Sequence, residues 1–131
     1  MRIQLFGREQ EIDGSAIDAE PAVIRDQVRE YEAGERTAFD LEIAFPDDFT
    51  GTVMRAMTAI PAGETRTYGE IASALDSAPI AVGQACGRNP VPVIVPCHRI
   101  VGADSLTGYA GGLALKRRLL EHEGAAIPGE P

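Results

Sequence analysis

The sequence predicts a mixed α/β (α+β) fold, in which a mostly helical main domain with short strands follows a small α+β unit. Residues 1–48 carry 13 acidic and 5 basic side chains, whereas residues 49–131 carry 7 of each. Pro46-Asp47-Asp48 interrupts the chain between these two compositions. Apolar residues recur at helical spacing in several segments, and alternation typical of a strand is confined to short runs. We therefore place the units at 1–48 and 49–131.

The N-terminal unit is predicted to contain one helix between two strands. Residues 2–6 form the first strand, and the polar residues 7–19 are rich in turns. Pro21 begins a helix with Ile24, Val28 and Tyr31 on one face, and Gly34 ends it. Apolar and polar residues then alternate over 39–45, which predicts a half-buried strand.

The main domain begins with a helix over residues 49–60 and continues with a pair of short helices. Thr67 followed by Glu70 is a capping box, which predicts a helix start at residue 68. Asp76-Ser77 turns the chain, and residues 78–86 resume it as a second helix that Gly87 closes. Such a helix-turn-helix commonly docks on DNA, although similar pairs also serve as plain core packing.

The second of these helices carries little side-chain bulk. Its small residues include Ala81 and Gly83, so that it could lie close against a curved surface such as a DNA minor groove. Residues 91–95 read as a buried strand. Residues 113–123 form a final amphipathic helix with three leucines on one face and Lys116, Arg117 and Arg118 elsewhere.

Pro96-Cys97-His98-Arg99 is the segment most indicative of chemistry. A cysteine reacts as its thiolate, and neighbouring basic groups lower its pKa. His98 and Arg99 follow Cys97 directly, so that a reactive thiol is one interpretation. A small buried cysteine that only fills space is the other. This peptide alone does not separate them.

Composition excludes several classes of function. No stretch approaches the length of a membrane span and no signal peptide is visible, so we expect a cytoplasmic protein without a membrane partner. Cys86 and Cys97 are expected to be free thiols, and the Cys and His spacing fits no zinc site. We expect no cofactor. The net charge of −8, with a single lysine, favours a host with high internal salt.

Several motifs stand in one fixed order in the main domain. They are GETRTYGEIA at 63–72, AVG at 81–83, Asn89-Pro90, PCHRIVG at 96–102, GYAGG at 108–112, and then Lys116, Leu119-Leu120 and Glu123-Gly124. Together they closely resemble the O6-alkylguanine-DNA alkyltransferases, also called methylated-DNA–protein-cysteine methyltransferases. The resemblance is dense over 49–131 and weaker over 22–45.

The resemblance implies a winged helix-turn-helix-like catalytic domain that binds duplex DNA and flips an O6-alkylguanine into a pocket. The alkyl group then passes irreversibly to Cys97. His98 matches the base that takes the thiol proton through a water, and Glu123 matches the carboxylate that orients His98. Asn89 matches the residue that ties the turn to the active-site loop. Tyr109 matches the hydroxyl that protonates or hydrogen-bonds the leaving guanine.

The resemblance also implies which residues hold the DNA. We expect the chain to act as a monomer. Tyr68 matches the side chain that crowds the DNA backbone, and the Ile100 carbonyl would recognise the base. The family usually has an arginine where this chain has Ile80, which predicts weaker flipping, with Arg88 or Arg66 compensating in part. The predicted substrate and DNA contacts are Tyr68, Ile80, Ala81, Gly83, Arg88, Arg99 and Ile100.

Two alternatives to a suicide alkyltransferase remain open. Family-like proteins that bind lesions without repairing them carry tryptophan at the acceptor position, where this chain has Cys97. A lesion-sensing module with a slow Cys97 nevertheless fits the departure at Ile80. A hydrolase with a cysteine nucleophile is the weaker alternative, because no motif in the sequence indicates an oxyanion hole.

Overall fold

The computed structural model describes residues 1–107, 109 and 112–129. It begins with a hairpin in which β1 (Arg2–Leu5) pairs antiparallel with β2 (Arg8–Glu11). Phe6 and Gly7 both have positive φ, as the two central residues of a tight hairpin turn require. The segment 7–19, which was described as polar and rich in turns, also contains the strand β2, which the sequence did not predict. The sequence shows no apolar–polar alternation at this strand, because three of its four side chains are exposed and all four are polar.

Helix α1 (Pro21–Glu32) follows, and it buries the predicted face of Ile24, Val28 and Tyr31. The strand predicted over 39–45 is wrong as secondary structure, since the segment makes only an isolated bridge between Ile17 and Ile43. Its alternation of half-buried and exposed side chains is nevertheless present. The apolar residues of the segment pack against the core, so the alternation correctly indicated burial.

Helix α2 (Phe49–Thr58) opens the main domain, capped by the side chain of Asp48. After the two-residue strand β3 (Arg66–Thr67) come α3 (Tyr68–Ala74) and α4 (Pro79–Gly87), which pack on each other. Both hydrogen bonds of the capping box between Thr67 and Glu70 are present. The predicted helix-turn-helix is confirmed.

Residues 91–95 do not form the predicted strand. They are buried, but Val93 has a φ of 77°. The Val95 amide donates to the Val91 carbonyl at 3.0 Å, which closes a turn. A 3₁₀ turn, Cys97–Arg99, follows and leads into β4 (Ile100–Val101), which pairs parallel with β3. This pairing ties the end of the cysteine turn to the start of α3.

Helix α5 (Leu113–Glu123) closes the fold, and Gly124 ends it in the left-handed conformation. Lys116 was expected away from the apolar face, but it is fully buried beside Leu115. We expected residues 107–112 to form a loop that lines a pocket; of these, Thr107, Tyr109 and Gly112 lie within the described residues, and the others lie outside them.

One hydrophobic core crosses the predicted boundary between the two units. It joins Leu5 and Ile24 of the N-terminal unit to Val53, Val95 and Leu119 of the main domain. The mixed α/β class is confirmed, and the division at residue 48 stays a prediction. Within the described parts of the chain, no helix is long and apolar enough to cross a membrane.

Candidate active site

Cys97 lies at the start of its 3₁₀ turn, on the wall of a cavity of about 480 Å³. The amide of Cys97 donates to the Val95 carbonyl at 2.8 Å, which fixes the backbone at the thiol. Only 5% of Cys97 is exposed. The cavity combines one thiol-bearing loop with residues of α3, α4 and the loop before α5, and it is lined by Tyr68, Gly83, Cys86, Gly87, Cys97, Thr107 and Tyr109.

Burial of Cys97 favours the protonated thiol over the thiolate. Burial raises its pKa, and the side chain of Asn89 and the ammonium of Lys116 oppose that shift without overcoming it. Arg99, one of the two basic neighbours of Cys97 in the sequence, is not among the groups that shift this pKa, and its guanidinium is bound to Glu123 and the Ile60 carbonyl. Burial favours a neutral thiol that must lose its proton during the reaction.

His98 is the group placed to take part in that proton transfer. Its side chain is fully buried, and Nε2 lies 2.8 Å from Oε2 of Glu123. Burial lowers the pKa of His98, and Glu123 acts in the opposite direction. Nδ1 is buried and has no hydrogen-bond partner among the described residues. A neutral imidazole held in this way presents one free ring nitrogen that can accept a proton.

Glu123 is the charged centre behind His98. Burial alone would raise its pKa, but hydrogen bonds and charges from His98 and Arg99 outweigh burial and bring the pKa down to about 2. The Arg99 guanidinium donates to both carboxylate oxygens at 2.9 Å, and it also donates to the Ile60 carbonyl at 2.7 Å. Arg99 is therefore a buried partner of Glu123, a role that the sequence did not indicate, and its contact with DNA stays a prediction.

Asn89 connects the end of α4 to the cysteine turn. Its Nδ2 donates to the Val95 carbonyl at 3.0 Å, and its Oδ1 accepts from the Val91 amide at 3.1 Å. It thereby holds the buried turn at 91–95 from both ends. This geometry agrees with the role that the resemblance implied for Asn89.

Two tyrosines form polar parts of the cavity wall. The Tyr68 hydroxyl lies 3.0 Å from the Thr107 hydroxyl, and burial raises the pKa of Tyr68. The Tyr109 ring meets the His98 ring edge-on at 6.5 Å between centroids. Burial and the neighbouring Cys97 raise the pKa of Tyr109 well above its ordinary value. Its hydroxyl makes no regular hydrogen bond with a described residue and stays protonated, so it can donate to a ligand.

The Ile100 carbonyl is held by Lys116. Lys116 Nζ donates to it at 2.7 Å and lies 5.9 Å from the centroid of the Tyr68 ring. Burial lowers the pKa of Lys116 to about 8, an effect that Cys97 and Cys86 oppose. The Ile100 carbonyl is therefore fixed by a buried ammonium group.

The remaining predicted contacts lie along α4, outside the cluster around Cys97. Ile80 is 75% exposed near the helix start, and Arg88 is exposed at its end. Ala81 and Gly83 are half-buried between them, and Gly83 also lines the cavity. Ile80 is thus an exposed apolar side chain on the same helix whose Gly83, Cys86 and Gly87 line the Cys97 cavity.

Three residues of this site were not identified from the sequence. Tyr31 was assigned only to the core face of α1, yet its hydroxyl donates to Oε2 of Glu123 at 2.7 Å. Cys86 lines the same cavity as Cys97, where burial raises its pKa to about 12. Lys116 was placed on a polar face. Lys116 is the single lysine in a sequence whose other basic residues, apart from histidine, are arginines, and this could have indicated a special role.

Comparison with known proteins places this geometry in context. Residues 48–125 match the family model described as 6-O-methylguanine DNA methyltransferase, DNA binding domain. The methylated-DNA–protein-cysteine methyltransferase of Mycobacterium tuberculosis H37Rv is 50% identical over 109 residues, covering 80% of this chain and 66% of that protein. The corresponding protein of Archaeoglobus fulgidus is 43% identical, covering 75% of this chain and 71% of that protein. The chain spans just under two thirds of the length of the mycobacterial relatives.

Solved structures agree with these sequence relatives. Mycobacterium tuberculosis OGT in complex with DNA superposes with a TM-score of 0.75 at 49% identity, covering 82% of this chain and 69% of that one. Schizosaccharomyces pombe Atl1, in complex with damaged DNA containing O6-carboxymethylguanine, superposes with a TM-score of 0.53 at 31% identity, covering 60% of this chain and 78% of that one. On its family model and its relatives, the chain belongs to the methylated-DNA–protein-cysteine methyltransferase family.

Proposed function

We propose that this chain repairs DNA by moving an alkyl group from O6 of guanine to Sγ of its own Cys97, once per molecule. The observation that carries the proposal is the arrangement of Cys97 in a cavity with His98 and Glu123 behind it. His98 holds a free Nδ1, and its other nitrogen is fixed on a buried carboxylate. Family membership supplies the substrate class, which is O6-alkylguanine in duplex DNA.

The transfer is a displacement at a saturated carbon. Sγ of Cys97 forms a bond to the alkyl carbon while the bond from that carbon to O6 breaks, and the electron pair stays with the guanine. The proton of the thiol passes to Nδ1 of His98, directly or through a water. The Tyr109 hydroxyl gives its proton to the leaving guanine, and the proton taken up by His98 is then returned to the Tyr109 oxygen, so that the guanine and the protein groups all end neutral. Because the resulting thioether is stable, the protein acts once.

The electrostatics of the site support a proton transfer that occurs only when substrate is bound. A buried thiol and a neutral imidazole carry no net charge at rest, which burial favours. The charge that appears on His98 during the reaction is stabilised by Glu123 at 2.8 Å. A site that excludes water strengthens that interaction.

The cavity has the chemical character that a flipped base requires. It is walled by an aromatic ring of Tyr68, by the small residue Gly83 and by the donor Tyr109. We also propose the Ile100 carbonyl, which Lys116 holds at 2.7 Å, as the acceptor for an exocyclic amine of the base. Ile80, the exposed tip of α4, is an apolar wedge for the gap left in the base stack.

Lesion sensing without transfer is the second candidate. The exposed Ile80 favours it, because an isoleucine offers no hydrogen bond to the orphaned partner base, and poor flipping would leave Cys97 unreacted. The two functions differ in whether the alkyl group changes molecules.

A single-turnover assay distinguishes them. A duplex carrying a radiolabelled O6-methylguanine is mixed with a two-fold excess of protein, and label is followed from DNA to protein. Transfer predicts one methyl group per active molecule, with no further turnover when DNA is in excess, and no transfer by Cys97→Ser. Binding of the duplex with all label left on DNA would establish the sensor, and multiple turnovers would indicate a hydrolase.

The setting in which the chain works is also part of the proposal. We place it in the cytoplasm as a monomer bound to double-stranded DNA, in a host with high internal salt. The acid excess of residues 1–48 supports the last point. Binding through fitted contacts on α4, rather than through many phosphate contacts, would keep the salt dependence of DNA affinity shallow.

A further inference from the structure

We infer that Tyr31, a residue of the N-terminal unit, is a positioning residue for the proton relay of the main domain. It acts through Glu123, which in turn holds His98. The inference rests on the proposed function for its kinetic consequence, but the contact itself is a property of the resting protein. It gives the acidic N-terminal unit a direct part in setting the basicity of His98.

The Tyr31 hydroxyl reaches Glu123 from α1, whereas His98 and Arg99 reach it from the cysteine turn. It donates to Oε2 at 2.7 Å across 92 residues of sequence, and Tyr31 is only 1% exposed. Burial raises the pKa of Tyr31 far above its ordinary value, and the charge of Glu123 acts in the same direction. The hydroxyl therefore stays protonated and remains a donor throughout the working pH range.

The rest of Tyr31 is fixed so that the hydroxyl has little freedom to leave. The ring packs against Phe39 at 5.5 Å and against His122 at 5.1 Å between centroids. Nε2 of His122 also lies 2.7 Å from the Tyr31 carbonyl. His122 and Glu123 are consecutive residues of α5, so two adjacent positions of that helix hold Tyr31 at both ends.

Glu123 needs such donors because of where it lies. It is the last residue of α5, and the carbonyl end of a helix disfavours a negative charge. Its side chain is 1% exposed, so water does not solvate the charge. Oε2 is satisfied instead by Tyr31, His98 and Arg99, at 2.7, 2.8 and 2.9 Å.

Three donors on one oxygen compete for its electron density. Each donor makes the carboxylate a weaker acceptor for the other two. Without the Tyr31 hydroxyl, Oε2 would attract the proton on His98 Nε2 more strongly and would favour the imidazolium. The pKa of His98 would rise, and more of the base would be protonated before substrate binds.

The experiment uses the full chain and the variant Tyr31→Phe, which keeps the ring and removes only the hydroxyl. Val28→Ala is the matched control, because it removes buried bulk one turn earlier on α1 without touching Glu123. NMR of labelled imidazoles follows His98 and His122, the only two histidines in the chain, in the absence of DNA. Single-turnover methyl transfer is measured against pH in parallel.

For Tyr31→Phe we expect the pKa of His98 to rise by about half a unit to one unit, in the range that one hydrogen bond to a charged group supports. The acid limb of the transfer rate should move to higher pH by the same amount, with DNA affinity unchanged within about two-fold. Val28→Ala should lower the thermal midpoint and leave both titrations unmoved.

Equal His98 titrations in Tyr31→Phe and Val28→Ala would overturn the inference and leave Tyr31 as a packing residue. If Tyr31→Phe does not fold, site-specific 3-fluorotyrosine at position 31 replaces it. That residue is a stronger donor, so the pKa of His98 should fall, and an unchanged pKa would equally overturn the inference. Because the NMR titration needs no alkyl transfer, failure of the proposed function would appear separately as an inactive parent protein.

Discussion

Replacing Arg99 distinguishes a structural role from a DNA-binding role. The sequence predicts that Arg99 contacts DNA, whereas in the structure its side chain is a buried partner of Glu123. The perturbation is Arg99→Met, which keeps an unbranched apolar stem and removes the guanidinium. The guanidinium makes two hydrogen bonds of 2.9 Å to Glu123 and one of 2.7 Å to the Ile60 carbonyl. Without the guanidinium, the buried carboxylate of Glu123 and the buried carbonyl of Ile60 each lose a hydrogen-bond donor.

The expected cost follows from the burial of the pair. Arg99 and Glu123 side chains are 8% and 1% exposed. Removing one partner of a buried ion pair costs about 3–5 kcal/mol, because the remaining charge is left uncompensated. The depressed pKa of Glu123 gives a similar figure. A fall from the ordinary 4.5 to about 2 corresponds to about 3 kcal/mol of stabilisation near neutral pH, to which Arg99 contributes together with His98.

The assay is urea unfolding at pH 7 alongside DNA affinity by fluorescence anisotropy. Arg99→Met should lose about 3–5 kcal/mol of unfolding free energy. Arg99→Lys should lose less, because it keeps the charge but not the forked geometry. The control is Arg88→Met on the exposed end of α4. It should change stability by less than about 0.5 kcal/mol and weaken DNA binding.

An Arg99→Met protein with the stability of the parent and a reduced affinity for DNA would refute this reasoning. It would mean that the guanidinium leaves Glu123 to contact DNA.

Three further predictions concern pH, DNA docking and the Ile100 carbonyl. Because the folded-state pKa of Glu123 is depressed, the contribution of its carboxylate to stability is complete above about pH 4.5 and declines as pH falls toward 2. In acid unfolding curves, Glu123→Gln should lack this decline in stability with falling pH. Ile80→Arg should bind and repair a methylated duplex faster than the parent, and equal affinity and rate would contradict the role given to Ile80. Lys116→Met should cost about 1–3 kcal/mol in urea unfolding by removing the donor to the Ile100 carbonyl, and parent-like stability would contradict that contact.

Local chemistry in the sequence predicted the local structure well. The side chains of Thr67 and Glu70 cap α3 because that pair satisfies two backbone amides within four residues. The face of α1 was predicted because Ile24 and Val28 recur at helical spacing. The run at 91–95 was misjudged for a related reason. Apolar composition indicates burial, but it does not report that Val93 adopts a positive φ and turns the chain.

Partners distant in sequence could not be predicted from spacing. Arg99 follows His98 in the chain, but its guanidinium turns to Glu123 and Ile60 rather than to the thiol. Tyr31 and Glu123 are 92 residues apart, and only the packing of α1 against α5 brings their polar atoms together. Periodicity predicts which side of a helix is buried, and it leaves open which buried polar atom that side meets.

Peptide mapping by mass spectrometry tests the central claim most directly. The chain is incubated with a duplex containing O6-methylguanine, at low and at high salt, and each cysteine peptide is examined. The account predicts one added methyl group on the peptide with Cys97 and none on the peptide with Cys86, although both thiols line the same cavity. Cys97→Ser should abolish the gain. A methyl group on Cys86, or lesion binding with no gain of mass at either cysteine, would contradict the account.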